Sequence, residues 1–168
     1  MGKAILVAGK LCSGKTTYSQ SICKDENAVL LSVDEIMQAV FGQYAGEKHE
    51  EYVRKLKKFL LEKSAEILNR GVNVVLDWGF WTRAERDQIR DFYHSRNAST
   101  ELHYIELSQS EWKRRIDERN VSVLEKAKDG YYIDDAILRN FESIFEQPED
   151  DEIDIIVDDI DIIVRSGM

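Results

Sequence analysis

Short apolar runs alternate with longer amphipathic stretches along this chain. Ala4-Ile5-Leu6-Val7-Ala8 is unbroken, as a strand covered on both faces requires, so Lys3 to Ala8 is a predicted strand. A helix follows over Lys15 to Lys24, a second strand over Ala28 to Val33, and a short helix from Asp34 to about Phe41. Gly42 and Gly46 bracket a turn. From Glu47 to Arg70 the residues Tyr52, Val53, Leu56, Phe59, Leu60, Ile67 and Leu68 fall on one helical stripe. Gly71 stands where a left-handed residue closes such a helix. Val72 to Leu76 is a third apolar strand. Thr82 with Glu85, and Ser108 with Glu111, form capping boxes. They open helices running to about Arg96 and Arg119, with a fourth strand, Thr100 to Leu107, between them. Residues 121 to 130 read as a loop and Asp134 to Phe145 as a helix. Ile153 to Val157 is a fifth strand, and Ile160 to Arg165 a sixth or its extension.

This alternation predicts an α/β fold, a parallel sheet layered by helices on both faces. Ligands of such sheets bind beyond the carboxyl ends of the strands. A length of 168 residues, a single proline (Pro148) and no linker-like stretch predict one domain over residues 1–168. The run Ala4 to Ala8 is too short for a signal peptide or a membrane span, so a cytoplasmic protein without a membrane partner is expected. Cys12 and Cys23 are too few for a disulfide framework and lack zinc-site spacing; they read as free thiols. The net charge of -9 weighs against nucleic acid as a partner. Glu142, Glu146, Glu149, Asp150, Asp151 and Glu152 crowd together late in the chain, a run that reads as a solvated face or loop.

Between the first strand and first helix lies Gly9-Lys10-Leu11-Cys12-Ser13-Gly14-Lys15-Thr16. It matches G-x-x-x-x-G-K-[ST] at every fixed position and in the required context. The glycines let the backbone curl so that N–H groups turn toward phosphate oxygens. The helix start adds its positive end. Lys15 carries a full charge to the β- and γ-phosphates, and the Thr16 hydroxyl suits magnesium. Gly9, Cys12, Ser13, Gly14, Lys15, Thr16 and Thr17 form the candidate nucleotide site, with ATP and magnesium as cofactors.

Strand two ends in Asp34 and strand three in Asp77, so both carboxylates reach the same sheet edge. Phosphoryl transfer asks one carboxylate to help hold magnesium and another to take or orient the proton of the attacking hydroxyl. Asp34 is the candidate base and substrate contact; Asp77 is the candidate magnesium carboxylate, following its strand as a Walker B acid does. Position alone also allows Asp34 to be a helix N-cap and Asp77 a turn residue, and it leaves their two roles exchangeable. Trp78, Phe80 and Trp81 crowd the mouth of the site, with Trp78 and Trp81 as candidate walls of a substrate pocket. Arg83 opposes the dipole of the helix it begins unless an anion is near, which marks it as a candidate substrate or phosphate contact.

Arg115 and Arg119 are four apart and share one helix face. Two guanidinium groups there can clamp a transferring phosphoryl group, with Arg115 also touching the nucleotide. By spacing alone the same stretch is an ordinary charged helix laced by Asp117 and Glu118.

Gly9 to Thr17, Leu31 to Asp34, VVLDWGFWTRAER from Val74 to Arg86, and Trp112 to Asn120 together resemble the predicted ATP-binding kinases of the AAA-domain type. Zeta toxins, chloramphenicol phosphotransferase and the kinase half of bacteriophage polynucleotide kinase belong to the same wider group. The resemblance covers nearly the whole chain. It implies an adenylate-kinase-like fold with a helical lid over about residues 112–132, Asp34 in the place of the catalytic aspartate after strand two, and Arg115 and Arg119 in the lid. The expected function is transfer of the γ-phosphoryl group of ATP to a hydroxyl of a small molecule. A polynucleotide 5′-hydroxyl kinase and a nucleotide-hydrolysing regulatory module are the alternatives; the absence of an N-K-x-D motif argues against a GTPase switch.

Overall fold

The computed structural model describes residues 1–42, 45–126 and 132–158. Five strands, β1 (Lys3–Gly9), β2 (Ala28–Ser32), β3 (Asn73–Asp77), β4 (Ser99–Ile105) and β5 (Ile155–Val157), form one sheet in the order β2-β3-β1-β4-β5. All four pairings are parallel. Six helices connect them: α1 (Lys15–Asp25), α2 (Val33–Phe41), α3 (His49–Asn69), α4 (Arg83–His94), α5 (Gln109–Leu124) and α6 (Asp135–Ile144).

Strand periodicity sorts the core into two layers. Ala4, Leu6 and Ala8 of β1, Val74 and Leu76 of β3, and Leu102 and Tyr104 of β4 face a cluster with Val33 and Met37 of α2, Leu60 and Leu68 of α3, and Ile89 and Tyr93 of α4. Ile5 and Val7, Val75 and Ile105 face the other cluster, with Tyr18 and Ile22 of α1, Trp112 and Ile116 of α5, and Phe141 of α6. The predicted three-layer parallel sheet is the observed one. From β1 the chain first builds β2 and β3 on one side and then β4 and β5 on the other. The crevice at this reversal opens between β1 and β3, where an open α/β sheet places its ligand.

Three differences from the sequence reading have local causes. The stretch from Glu47 divides into a single 3-10 turn, Gly46–Lys48, and α3. Helix α5 runs on to Leu124, so residues 121–124 are not loop. Asn120 accepts from the Ile133 N–H at 2.8 Å and donates to its carbonyl at 2.8 Å, which holds this part of α5 against the chain leading into α6. The acidic run is not wholly solvated: Glu152 is buried against Arg86. The predicted strand over Ile160 to Arg165 lies outside the described residues.

Candidate active site

The loop after β1 takes its shape from left-handed residues. Cys12 has φ 57° and Gly14 φ 93°. Close approach matters at Gly9, where a Cβ would stand 2.7 Å from Ser13 Oγ and 3.2 Å from Ile105 Cβ. Helix α1 begins at once, and no side chain caps it. Ser32, Thr82, Ser108 and Asp134 cap α2, α4, α5 and α6, each accepting from a first-turn N–H. The first-turn N–H groups of α1 are thus left without a side-chain acceptor, as a phosphate-binding helix requires. Lys15 Nζ folds over the loop, donating to the Lys10 carbonyl at 2.7 Å and the Gly9 carbonyl at 3.1 Å. Burial lowers its pKa, against the charges of Asp77 and Asp34, with Arg119 lowering it further.

Asp77 ends β3 inside the crevice, 4 % exposed. Its Oδ2 accepts from Thr16 Oγ1 at 2.9 Å. Burial raises its pKa, and the Lys15 charge and the Thr16 hydrogen bond hold it back, while Asp34 and Glu35 push the same way as burial. This pair of oxygens is the place to test against a magnesium ion. Among the described residues no three His, Cys, Asp or Glu side chains gather into a self-sufficient cage. One hydroxyl and one carboxylate fit magnesium, which keeps several waters and takes phosphate oxygens as ligands.

Asp34 does not cap α2. Ser32 does, its Oγ accepting from the Glu35 N–H at 3.3 Å. Asp34 stands exposed in the first turn, and its charge acts on both Lys15 and Asp77.

Helix α5 is fastened to the phosphate loop at three points. Trp112 Nε1 donates to the Leu11 carbonyl at 2.7 Å. Lys10 lies 4.6 Å above the Trp112 ring and donates to Gln109. Arg115 Nη1 donates to the Ser13 carbonyl at 2.9 Å, while its Nε donates to Glu111 at 2.7 Å. Arg119, one turn on, has a buried Nε with no hydrogen-bond partner among the described residues. The first turns of α5 are therefore part of the loop's own wall.

The aromatic residues after Asp77 do not wall one pocket. Trp78 and Phe80 join the α2–α3–α4 cluster, and Trp81 packs with the other, edge-on to Phe141 at 5.3 Å. Two successive left-handed residues, Gly79 at φ 96° and Phe80 at φ 51°, turn the chain from one face to the other. Arg83 also departs from its expected role. The anion it calls for is supplied by the chain: its guanidinium donates to Glu149 at 2.9 Å and Asp151 at 2.6 Å. Sequence reasoning missed the neighbouring Arg86. Fully buried, it forms a two-pronged pair with Glu152 at 2.7 and 3.0 Å and donates to the carbonyls of Phe80 and Glu146. The faint signal was a second arginine in α4's early turns facing a late acidic run.

The family model AAA_33, AAA domain, matches residues 5–148. No curated protein matches the sequence. Among solved structures the fold is similar to a gluconokinase from Sinorhizobium meliloti 1021 (17% identity, TM-score 0.63, covering 98% of this chain and 89% of that one). It is also similar to a sugar kinase from Janibacter sp. HTCC2649 (17%, 0.62, 94% and 86%). An APS kinase from Mycobacterium tuberculosis, in complex with AMPPNP and APS, has the same fold (13%, 0.61, 99% and 98%). No described helix is long and apolar enough to cross a membrane. With a complete phosphate loop between β1 and α1, an aspartate closing β3 and a family match over most of its length, the chain belongs to the AAA-domain family of P-loop nucleotide-binding proteins.

Proposed function

We propose that this protein is an ATP-dependent phosphotransferase that moves the γ-phosphoryl group to a hydroxyl of a small molecule. The observation that carries this reading is Asp34, whose carboxylate is excused from capping by Ser32 and sits exposed within electrostatic reach of Lys15 and Asp77. A carboxylate left free at this edge can take the proton of an attacking hydroxyl. The kinase names of the structural neighbours, one of them bound to AMPPNP, agree with it.

In this reading the loop from Gly9 to Thr17 cradles the phosphates through its N–H groups. Lys15 leaves the Lys10 and Gly9 carbonyls for the β- and γ-phosphates. Thr16 and Asp77 would hold magnesium, which when bound neutralises phosphate charge. Asp34 accepts the proton of the acceptor hydroxyl as its oxygen attacks the γ-phosphorus. The bond to the β–γ bridging oxygen breaks, and its electron pair leaves with ADP. Arg115 and Arg119 face the charge that spreads over the transferring group. Residues 1–168 act as one domain, with the lid in the stretch that begins at about residue 112. The −9 charge favours a small neutral or cationic acceptor over a nucleic acid.

The test is a radiolabelled-ATP screen over pooled aminoglycosides, nucleosides, sugars and RNA ends, followed by Asp34→Asn. The variant should keep ATP affinity within about twofold and lose transfer by about 10²–10⁴-fold, the usual worth of a general base. Undiminished transfer by Asp34→Asn removes the base assignment; phosphate released only to water removes the phosphotransferase.

A further inference from the structure

A groove of about 330 Å³ runs between α2 and α3, lined by Met37, Val40 and Phe41 on one side and Tyr52, Lys55 and Phe59 on the other. The Phe41 and Tyr52 rings stack at 5.0 Å and 5°. Val40, Phe41 and Phe59 are 64%, 43% and 57% exposed, on a chain in which 33% of residues are charged. Large apolar side chains gathered around one concavity are poorly placed in water, and a ligand that covers them removes that cost. Lys55 is the one charged residue of this lining among the described residues, and it pairs with Glu51 at 2.5 Å, so the described wall is close to neutral.

The groove shares helix α2 with the candidate base Asp34. Asp34 lies one turn before the first of these α2 residues, and at a rise of about 1.5 Å per residue the lining spans roughly 5 to 10 Å along the axis from it. Met37 belongs to the same core cluster as Trp78, next in sequence to Asp77, and the Trp78 indole N–H is buried with no hydrogen-bond partner among the described residues.

Resting on the phosphotransferase reading above, we infer that the acceptor is a neutral alcohol carried on an apolar mono- or bicyclic body. Its hydroxyl meets Asp34 and its body fills the α2–α3 groove. A polyol would press several hydroxyls against side chains that offer no hydrogen bond, which is unfavourable. A peptide or nucleic acid is too large for a cavity at the small end of the range for small-molecule sites.

The full chain is tested with radiolabelled ATP and three acceptors: 2-(2-naphthyl)ethanol, glycerol and ribose. The naphthyl alcohol should be phosphorylated with a kcat/KM at least tenfold above the polyols. Val40→Asp and Phe59→Asp, both at exposed positions, should raise its KM tenfold or more while ATP affinity reports an intact fold. Preferred transfer to a polyol, indifferent to both variants, overturns the groove assignment and leaves the phosphotransferase standing. Failure of every acceptor, with ATP split only to phosphate in water, overturns the phosphotransferase reading itself and the acceptor assignment with it. Self-association in sedimentation that Val40→Asp abolishes also overturns the inference, by giving the face to a second copy of the chain.

Discussion

Replacing Glu152 by alanine perturbs a charge pair that the sequence hides and the fold encloses. Arg86 is 0% and Glu152 1% exposed at the side chain. Without the carboxylate, Arg86 Nε and Nη2 lose both acceptors, and the Glu149 N–H loses its bond to Glu152 Oε2 at 3.0 Å. A buried guanidinium left without its partner costs about 3–5 kcal/mol, a large part of the roughly 5–15 kcal/mol by which a domain is stable. For a domain of this size that lowers Tm by about 6–20 °C. Arg83→Ala is the control: its close partners Glu149 and Asp151 are largely exposed and it reaches Glu152 only at 3.9 Å, so its loss should be far smaller. Urea unfolding followed by tryptophan fluorescence reads both. Acid sharpens the contrast. Burial pushes the Glu152 carboxyl up, but the Arg86 hydrogen bonds, the Glu149 N–H and the neighbouring arginine charges outweigh it, so its pKa lies below the ordinary glutamate value. The unfolded chain therefore takes up this proton at higher pH than the folded one. The pair's contribution is complete above about pH 4.3, the ordinary glutamate value, and is lost as pH falls through the folded value. Glu152→Ala should flatten the acid limb of the stability curve. Equal losses for Glu152→Ala and Arg83→Ala, or an unchanged acid limb, would refute the reasoning.

Three further substitutions test the geometry of the site. Ser32→Ala removes the cap of α2 and should cost about 1 kcal/mol in chemical denaturation, whereas Asp34→Ala should cost distinctly less; the opposite order would return Asp34 to a capping role. Gly79→Ala places a Cβ 2.8 Å from Trp81 Nε1 at φ 96°, so thermal unfolding should show a loss of about 1–2 kcal/mol from the left-handed backbone alone, and a neutral result would mean that the turn after Asp77 is not held as described.

What the sequence determined by itself is what acts within a few residues. Gly9, Gly14 and the Lys15-Thr16 pair specify a phosphate loop because backbone freedom, a helix start and a charge must follow one another directly. N-caps at Thr82 and Ser108 and the apolar strand runs set the elements and the parallel sheet. Only the tertiary structure decided who meets whom. Arg83 finds Glu149 and Asp151, Arg86 finds Glu152 66 residues away, and Arg115 finds the Ser13 carbonyl 102 residues away. It separated Trp78 from Trp81 across the sheet and gave the cap of α2 to Ser32 rather than Asp34. A cation in α4 calls for an anion, and the chain offers many. Choosing among them depends on which loops the packed layers bring to the same edge, a property that spacing along the sequence does not carry.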